Sequence, residues 1–365
     1  MPEQESTAPE DFSRKMIDIL NYGALNLAVG IGYRTGLFDA MDACSAPQTA
    51  EAVAREAGMN RRYVEEWLGV MCTGGIVTLT TREDGTAEYL LPRSHADILT
   101  RRAGSGNLGV YAQEIPLLTL CAMEKVLDGF RTGEGVPYAD YPKFQAFMTE
   151  LANAKHRQVL IDLFLPTVDG GRMAARLQKG IRVCDLGCGE GVALTLMAAA
   201  FPASRFTGID MDPEVIRIAE SAAAEAGLDN ARFLVRDAAA LGNGDEFENA
   251  FDYITAFDAI HDQREPLAAL KSVRRMLPPG GCFSMIDIDA GSAHQDNMAH
   301  PMGPFLYTVS LMHCMPVGLA DNGAGLGMMW GREKAVALLS RAGFDAVEVV
   351  EMPHDPFNIH YFCRK

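Results

Sequence analysis

The chain has 365 residues, 48% hydrophobic and 22% charged, with a formal net charge of −16 at pH 7. No apolar run approaches the roughly 18 residues of a membrane span, and so acidic a chain has no general affinity for nucleic acid. Its eight cysteines form no CxxC pair and no zinc spacing, which points to free thiols in a reducing cytoplasm.

Residues 1–12, MPEQESTAPEDF, are polar and acidic, unlike a signal peptide, and read as a short disordered lead. From Met16 to Met41 apolar residues recur three and four apart, a helical pattern punctuated by Gly23, Gly30, Gly32 and Gly36. Pro47–Gly58 and Arg61–Met71 then form two helical segments around a short turn, a helix-turn-helix pattern. Ile76–Thr80 and Ala87–Leu91, joined through Gly85, read as a hairpin. Together, residues 13–100 resemble a winged-helix domain. Residues 1–100 hold eight basic against fifteen acidic side chains, a net of −7, and the second helix opens on Arg61-Arg62 but soon carries Glu65 and Glu66. A DNA reader needs a positive face. This domain is therefore expected to dimerise, or to wall a substrate pocket, rather than to bind DNA. Residues 101–169 read as a helical connector, where Pro142–Met148 opens a helix with Phe144 and Met148 on one face.

Beyond residue 170 the pattern changes. Ile181–Cys184 reads as a short buried strand, followed by Asp185, glycines at 187, 189 and 191, and a helix over Val192–Ala200. Glycines at such a turn let the backbone approach a ligand closely. Phe206–Asp210 reads as a second strand ending in an acid placed for a ribose hydroxyl pair. Ala231–Val235 reads as a third, leading to Asp237 and Ala238. The loop reads G-C-G-E-G rather than the dinucleotide G-x-G-x-x-G. Its acids, Asp185 and Glu190, suit a ligand carrying an ammonium or a sulfonium.

In these residues, together with Phe251–Asp258 and Leu277–Gly281, the chain resembles the class I S-adenosylmethionine-dependent methyltransferases. The resemblance implies an α/β, Rossmann-like, doubly wound seven-stranded sheet over residues 170–365. The α-rich winged-helix domain before it is one that many small-molecule methyltransferases use to dimerise. It also implies S-adenosylmethionine as cofactor, held by Asp185, Gly187, Gly189, Gly191, Asp210, Met211, Asp237, Ala238 and Phe257. Asp210 would take the ribose and Asp237 the adenine. By the same resemblance Phe144 and Met148 line cofactor and acceptor; plain core packing is the alternative reading of that pair.

Methyl transfer needs an acceptor aligned with the methyl group, and for a hydroxyl or thiol acceptor a base that takes its proton helps further. The acceptor belongs outside the end of the fourth strand, where the chain reads Phe257-Asp258-Ala-Ile-His261-Asp262. His261 is the candidate base, with Asp258 and Asp262 placed to orient it or to bind the acceptor; its alternative role is packing. After the strand read in Gly281–Asp289 comes a long insertion at about 290–330, rich in Met, Phe and Leu. It carries Tyr307, His313 and Cys314 and reads as a cap over a partly apolar acceptor pocket. His261, His300, His313 and Cys314 match no zinc spacing, so no metal is expected. The expected protein is a cytoplasmic homodimer that methylates oxygen or sulfur of a small molecule. A small-thiol S-methyltransferase of sulfur metabolism is one alternative. A winged-helix transcriptional regulator that senses S-adenosylmethionine is the other, although this chain lacks its basic recognition helix.

Overall fold

A computed structural model describes residues 9–244, 246–355 and 357–365. Residues 1–8 of the expected lead lie outside the described residues, and residues 9–12 already belong to a helix. The chain divides into two compact units between Leu117 and Leu118, so the segment read as a connector, 101–169, is shared between them.

The first unit opens with α1 (Pro9–Arg34). The helix expected over Met16–Met41 breaks at Gly36, where φ is +72°, and resumes as α2 (Leu37–Asp42). The helix-turn-helix is α3 (Ala50–Ala57) and α4 (Arg61–Thr73). Local chemistry sets their ends. Thr49 Oγ1 accepts from the Ala52 N–H at 3.3 Å, Gly58 closes α3 at φ +65°, and Asn60 Oδ1 accepts from the Arg62 N–H at 2.9 Å. The wing pairs β1 (Thr78–Thr81) with β2 (Ala87–Leu90), and α5 (Arg93–Leu99) follows. Phe38, Val53, Trp67, Leu68 and Met71 form the core, and the Trp67 indole N–H donates to the Ala28 carbonyl at 2.9 Å. A Cβ on Gly32 would stand 2.5 Å from Trp67 and 2.9 Å from Phe38, which is why α1 has glycine there. Arg61 is held by Glu65 at 2.7 Å and Glu51 at 3.5 Å, and Arg62 by Glu66. The two cations at the start of the recognition helix are thus already paired with acids.

α6 (Glu114–Thr132) begins in the first unit and runs into the second, where α7 (Pro142–Val159) and α8 (Arg172–Lys179) precede the sheet, which begins with β3 (Arg182–Leu186), α9 (Val192–Ala200) and β4 (Arg205–Asp210). It continues through α10 (Pro213–Glu225), β5 (Ala231–Val235), β6 (Tyr253–Phe257), α11 (Pro266–Met276) and β7 (Cys282–Ile288). The insertion contributes α12 (Gly303–Val309) and α13 (Met315–Leu319), and the chain ends with α14 (Arg332–Arg341), β8 (Val347–Glu351) and β9 (Asn358–Arg364). The seven strands lie in the order β5-β4-β3-β6-β7-β9-β8, all parallel except β9, which runs antiparallel to both neighbours. Successive side chains on the central strands enter two separate cores. Ile254, Phe283 and Trp330 belong to one, and Phe206, Tyr253 and Phe362 to the other. The strand order reverses between β3 and β6, the position where doubly wound sheets bind ligands.

Candidate active site

The glycine turn leaves β3 with φ of +71° at Gly187, +51° at Gly189 and +72° at Gly191, values that disfavour any residue with a Cβ. A Cβ on Gly187 would lie 2.6 Å from Ala259, and one on Gly191 would lie 2.4 Å from Phe233. At Gly189 nothing lies within 4 Å. The turn is therefore backed by protein on either side and open at its middle.

Acids end the three strands beside it. Asp185 is buried and accepts from Thr255 Oγ1 at 2.7 Å, a bond that follows from the parallel register pairing these two residues. Burial pushes its carboxyl up to about 7, against the Thr255 bond, which lowers it. Asp210 accepts the Gly189 N–H at 3.0 Å on one oxygen and the Asp212 N–H at 3.0 Å on the other, which ties the tip of β4 to the glycine turn. Burial raises its pKa while these N–H donors oppose the rise. Met211 beside it is 47% exposed. Asp237 is exposed and caps the short turn after β5, accepting from the Ala239 N–H at 2.9 Å, with Ala238 buried beneath it. Phe257, at the end of β6, meets His156 edge-on at 4.8 Å and Phe164 at 5.9 Å. Burial drives His156 down to about 3, so this ring is a neutral packing partner of Phe257 rather than a solvent-facing helix residue.

His261 lies on the loop after β6, the loop whose Ala259 closes Gly187. Its Nδ1 donates to the Asp287 carboxylate at 2.7 Å, and its Nε2 stands 3.4 Å from Asp262 Oδ1. Burial lowers the imidazole pKa, but Asp287 and Asp262 outweigh it and hold the value well above the ordinary one. The carboxylate bonded to the imidazole is Asp287, not Asp258. Asp258 sits at φ +49°, accepts from Asn358 Nδ2 at 3.0 and 3.1 Å, and faces Lys155 at 3.6 Å. Its backbone turns the carboxylate toward β9 and α7 instead of toward the imidazole.

Phe144 and His313 come together, with ring centroids 4.8 Å apart, and Met148 lies half-buried one helical turn beyond Phe144. Tyr141 and Tyr138 complete the surround of His313 at 4.8 and 5.8 Å. Burial lowers the His313 pKa, and its Nε2 is buried with no hydrogen-bond partner. Tyr307 stands apart from this group. Its hydroxyl accepts from Asn297 Nδ2 at 3.0 Å and its ring packs on His294, because α12 turns it toward the start of the insertion. The insertion is stitched down at several points. Tyr141 Oη donates to the Met312 carbonyl at 2.8 Å, the Val136 N–H to the Pro316 carbonyl at 2.9 Å, and the Ala324 N–H to the Arg264 carbonyl at 2.9 Å.

Sequence reasoning missed Asp287, Tyr138 and Tyr141. For Asp287 a signal existed: a carboxylate inside a fully buried strand needs a partner, and the nearest titratable candidate was His261. For the tyrosines the only cue was the Tyr138-Ala-Asp-Tyr141-Pro142 punctuation before α7.

The sheet order, the open glycine turn and the strand-end acids define a class I methyltransferase architecture. Residues 177–312 match the family model of the methyltransferase domain, and residues 23–101 match that of the Rv2258c-like winged HTH domain. Demethylmenaquinone methyltransferase of Listeria monocytogenes is 30% identical over 113 residues, 31% of this chain and 46% of that protein. The chain thus spans about half the length of the curated relatives it matches. Human N-acetylserotonin methyltransferase in complex with S-adenosylmethionine superposes with a TM-score of 0.69 at 17% identity, covering 99% of each chain. The mitomycin 7-O-methyltransferase MmcR gives 0.67 at 17% identity, covering 98% of each. At such identities these likenesses are of fold. S-adenosylmethionine is the cofactor of this family, and the residues present fit it: three acids at adjacent strand ends, the Asp210 carboxylate fixed by backbone N–H groups, and a glycine with open space where a Cβ would otherwise stand.

Proposed function

We propose that this protein transfers a methyl group from S-adenosylmethionine to an oxygen of a small-molecule acceptor, with sulfur as the nearest alternative. The observation that carries the reading is the buried His261–Asp287 pair, whose histidine lies on the loop that closes against the glycine turn. S-adenosylmethionine supplies a methyl group already activated on a sulfonium. Asp210 and Asp237 hold the adenosine, with Asp185, Met211, Ala238 and Phe257 around it. His261 keeps its proton on Nδ1 for Asp287, which leaves the Nε2 lone pair to take the acceptor's proton. Its neutral form is favoured when a positive charge is bound nearby. Phe144, Met148 and His313 wall the acceptor, and the insertion excludes water above it.

Asp210→Ala is expected to weaken S-adenosylmethionine binding about 10- to 150-fold, equivalent to about 1.5–3 kcal/mol for charge-assisted hydrogen bonds. Calorimetry showing unchanged affinity, or tighter binding of NAD, overturns the cofactor assignment.

The winged helix in this reading is a dimerisation module in a cytoplasmic enzyme. α1 leaves a wet apolar face, with Ile17 59%, Leu20 68% and Tyr22 69% exposed, a surface that a second copy would cover. Light scattering at micromolar protein should report about twice 39.6 kDa, and a clean monomer there ends this part of the proposal. The paired Arg61 and Arg62 speak against the regulator reading. No helix among the described residues is long and apolar enough to cross a membrane.

A further inference from the structure

The fold does what the sequence spacing hides: it brings His261, Asp262 and Cys314 together, with one ligand-type atom of each within 4.8 Å of the others. We propose that His261 Nε2, the Asp262 carboxylate and the Cys314 sulfur form a binding site for a thiophilic divalent cation, Zn²⁺ in the first instance. Tetrahedral zinc bound by nitrogen, oxygen and sulfur sets its ligand atoms about 3.3–3.7 Å apart. The His261–Asp262 separation, 3.4 Å, already lies in that range. Asp262 Oδ1 is buried with no hydrogen-bond partner. The second nitrogen of His261 donates to Asp287 at 2.7 Å, the arrangement that fixes the orientation of a ligating imidazole. A mixed N, O, S set of three ligands suits zinc rather than magnesium or calcium, which take all-oxygen shells. It leaves a fourth position for water or an acceptor atom.

Binding forms a Zn–S bond in place of the Cys314 S–H bond and a Zn–N bond in place of the Nε2–H bond of the protonated imidazole, and both protons leave to solvent. The cation occupies Nε2, the atom that otherwise takes the acceptor's proton. Zn²⁺ occupancy and methyl transfer therefore exclude one another, and the site makes the enzyme sensitive to free zinc. This consequence rests on the methyltransferase reading; the binding site itself does not.

The test uses Co²⁺ as the probe. Full-length protein titrated with CoCl₂ should take up one equivalent, with a near-ultraviolet thiolate-to-cobalt charge-transfer band and the intense visible bands of a tetrahedral ion. Zn²⁺ should bleach both. Cys314→Ser should lose the charge-transfer band, Asp262→Asn should weaken Co²⁺ binding at least tenfold, and Cys44→Ser, at an exposed thiol, should leave the band intact. Circular dichroism checks that each variant folds; if Cys314→Ser does not, Asp262→Asn and Cys44→Ser decide. The proposal fails if the wild type shows no charge-transfer band at one equivalent, if the band survives in folded Cys314→Ser, or if it disappears in Cys44→Ser. No methyl transfer is read, so failure here leaves the activity reading standing, and absence of activity leaves the metal site standing.

Discussion

Replacing His261 by alanine is expected to lower kcat about 10²–10⁴-fold, the range for loss of a general base, and to leave S-adenosylmethionine affinity nearly unchanged. The two halves of this expectation come from different parts of the structure. In the proposed reading, the cofactor is held by the glycine turn and by the acids at the ends of β3, β4 and β5. His261 bonds instead to Asp287 and stands beside Asp262 and Cys314. Removing the imidazole takes away a proton acceptor without touching the adenosine contacts. A mutant whose kcat stays within about threefold of wild type, less than roughly 0.7 kcal/mol in the barrier, would reduce His261 to a packing residue. Catalysis would then rest on alignment and desolvation alone.

Asp287→Asn should lower kcat about 10- to 10³-fold, through His261 and not by any contact of its own. Asp287 Oδ1 accepts from both His261 Nδ1 and the Ile288 N–H, at 2.7 and 2.8 Å. The amide removes the charge that stabilises a protonated imidazole. Its oxygen can still accept from Nδ1 and from the Ile288 N–H, so what the substitution removes is the charge. A structural role would not make the two residues interdependent; a positioning role would. The double mutant His261→Ala/Asp287→Asn should therefore be no slower than His261→Ala, and losses that multiply would show that Asp287 acts on something else.

The glycine turn and the acids around it were legible in the sequence because they are local. One strand, one turn and three strand-end acids lie within residues 182–238, in an order that parallel β-α-β geometry imposes. The five sheet strands read between Ile181 and Asp289 appeared to within a residue or two at their ends, while β8 and β9 were not read from the sequence at all. The acceptor half was less legible because it is assembled across the chain. His261 could be named from its place after β6, but its partner lies 26 residues on, inside a strand whose pattern reads as pure core. Asp258 was the nearer and more obvious carboxylate, yet a left-handed backbone turns it toward Asn358. Tyr307 and His313 share one insertion, and only its path, with a π-helical turn at Ser310–Cys314, sends the latter inward. Eight basic against fifteen acidic residues did indicate the electrostatics of the winged helix, because net charge needs no tertiary detail.

The stitching of the insertion bears on how new acceptor preferences can be built into this scaffold. Tyr141 and Val136 each bond to carbonyls of the insertion, and His313 rests against Tyr141 and Phe144. These two stretches, far apart in the chain, pack as one unit. A chimera that imports the 290–330 segment of another methyltransferase on its own would set foreign side chains against native tyrosines. Specificity should travel only when residues 136–148 are transplanted with it, and combinatorial libraries should diversify the two stretches together.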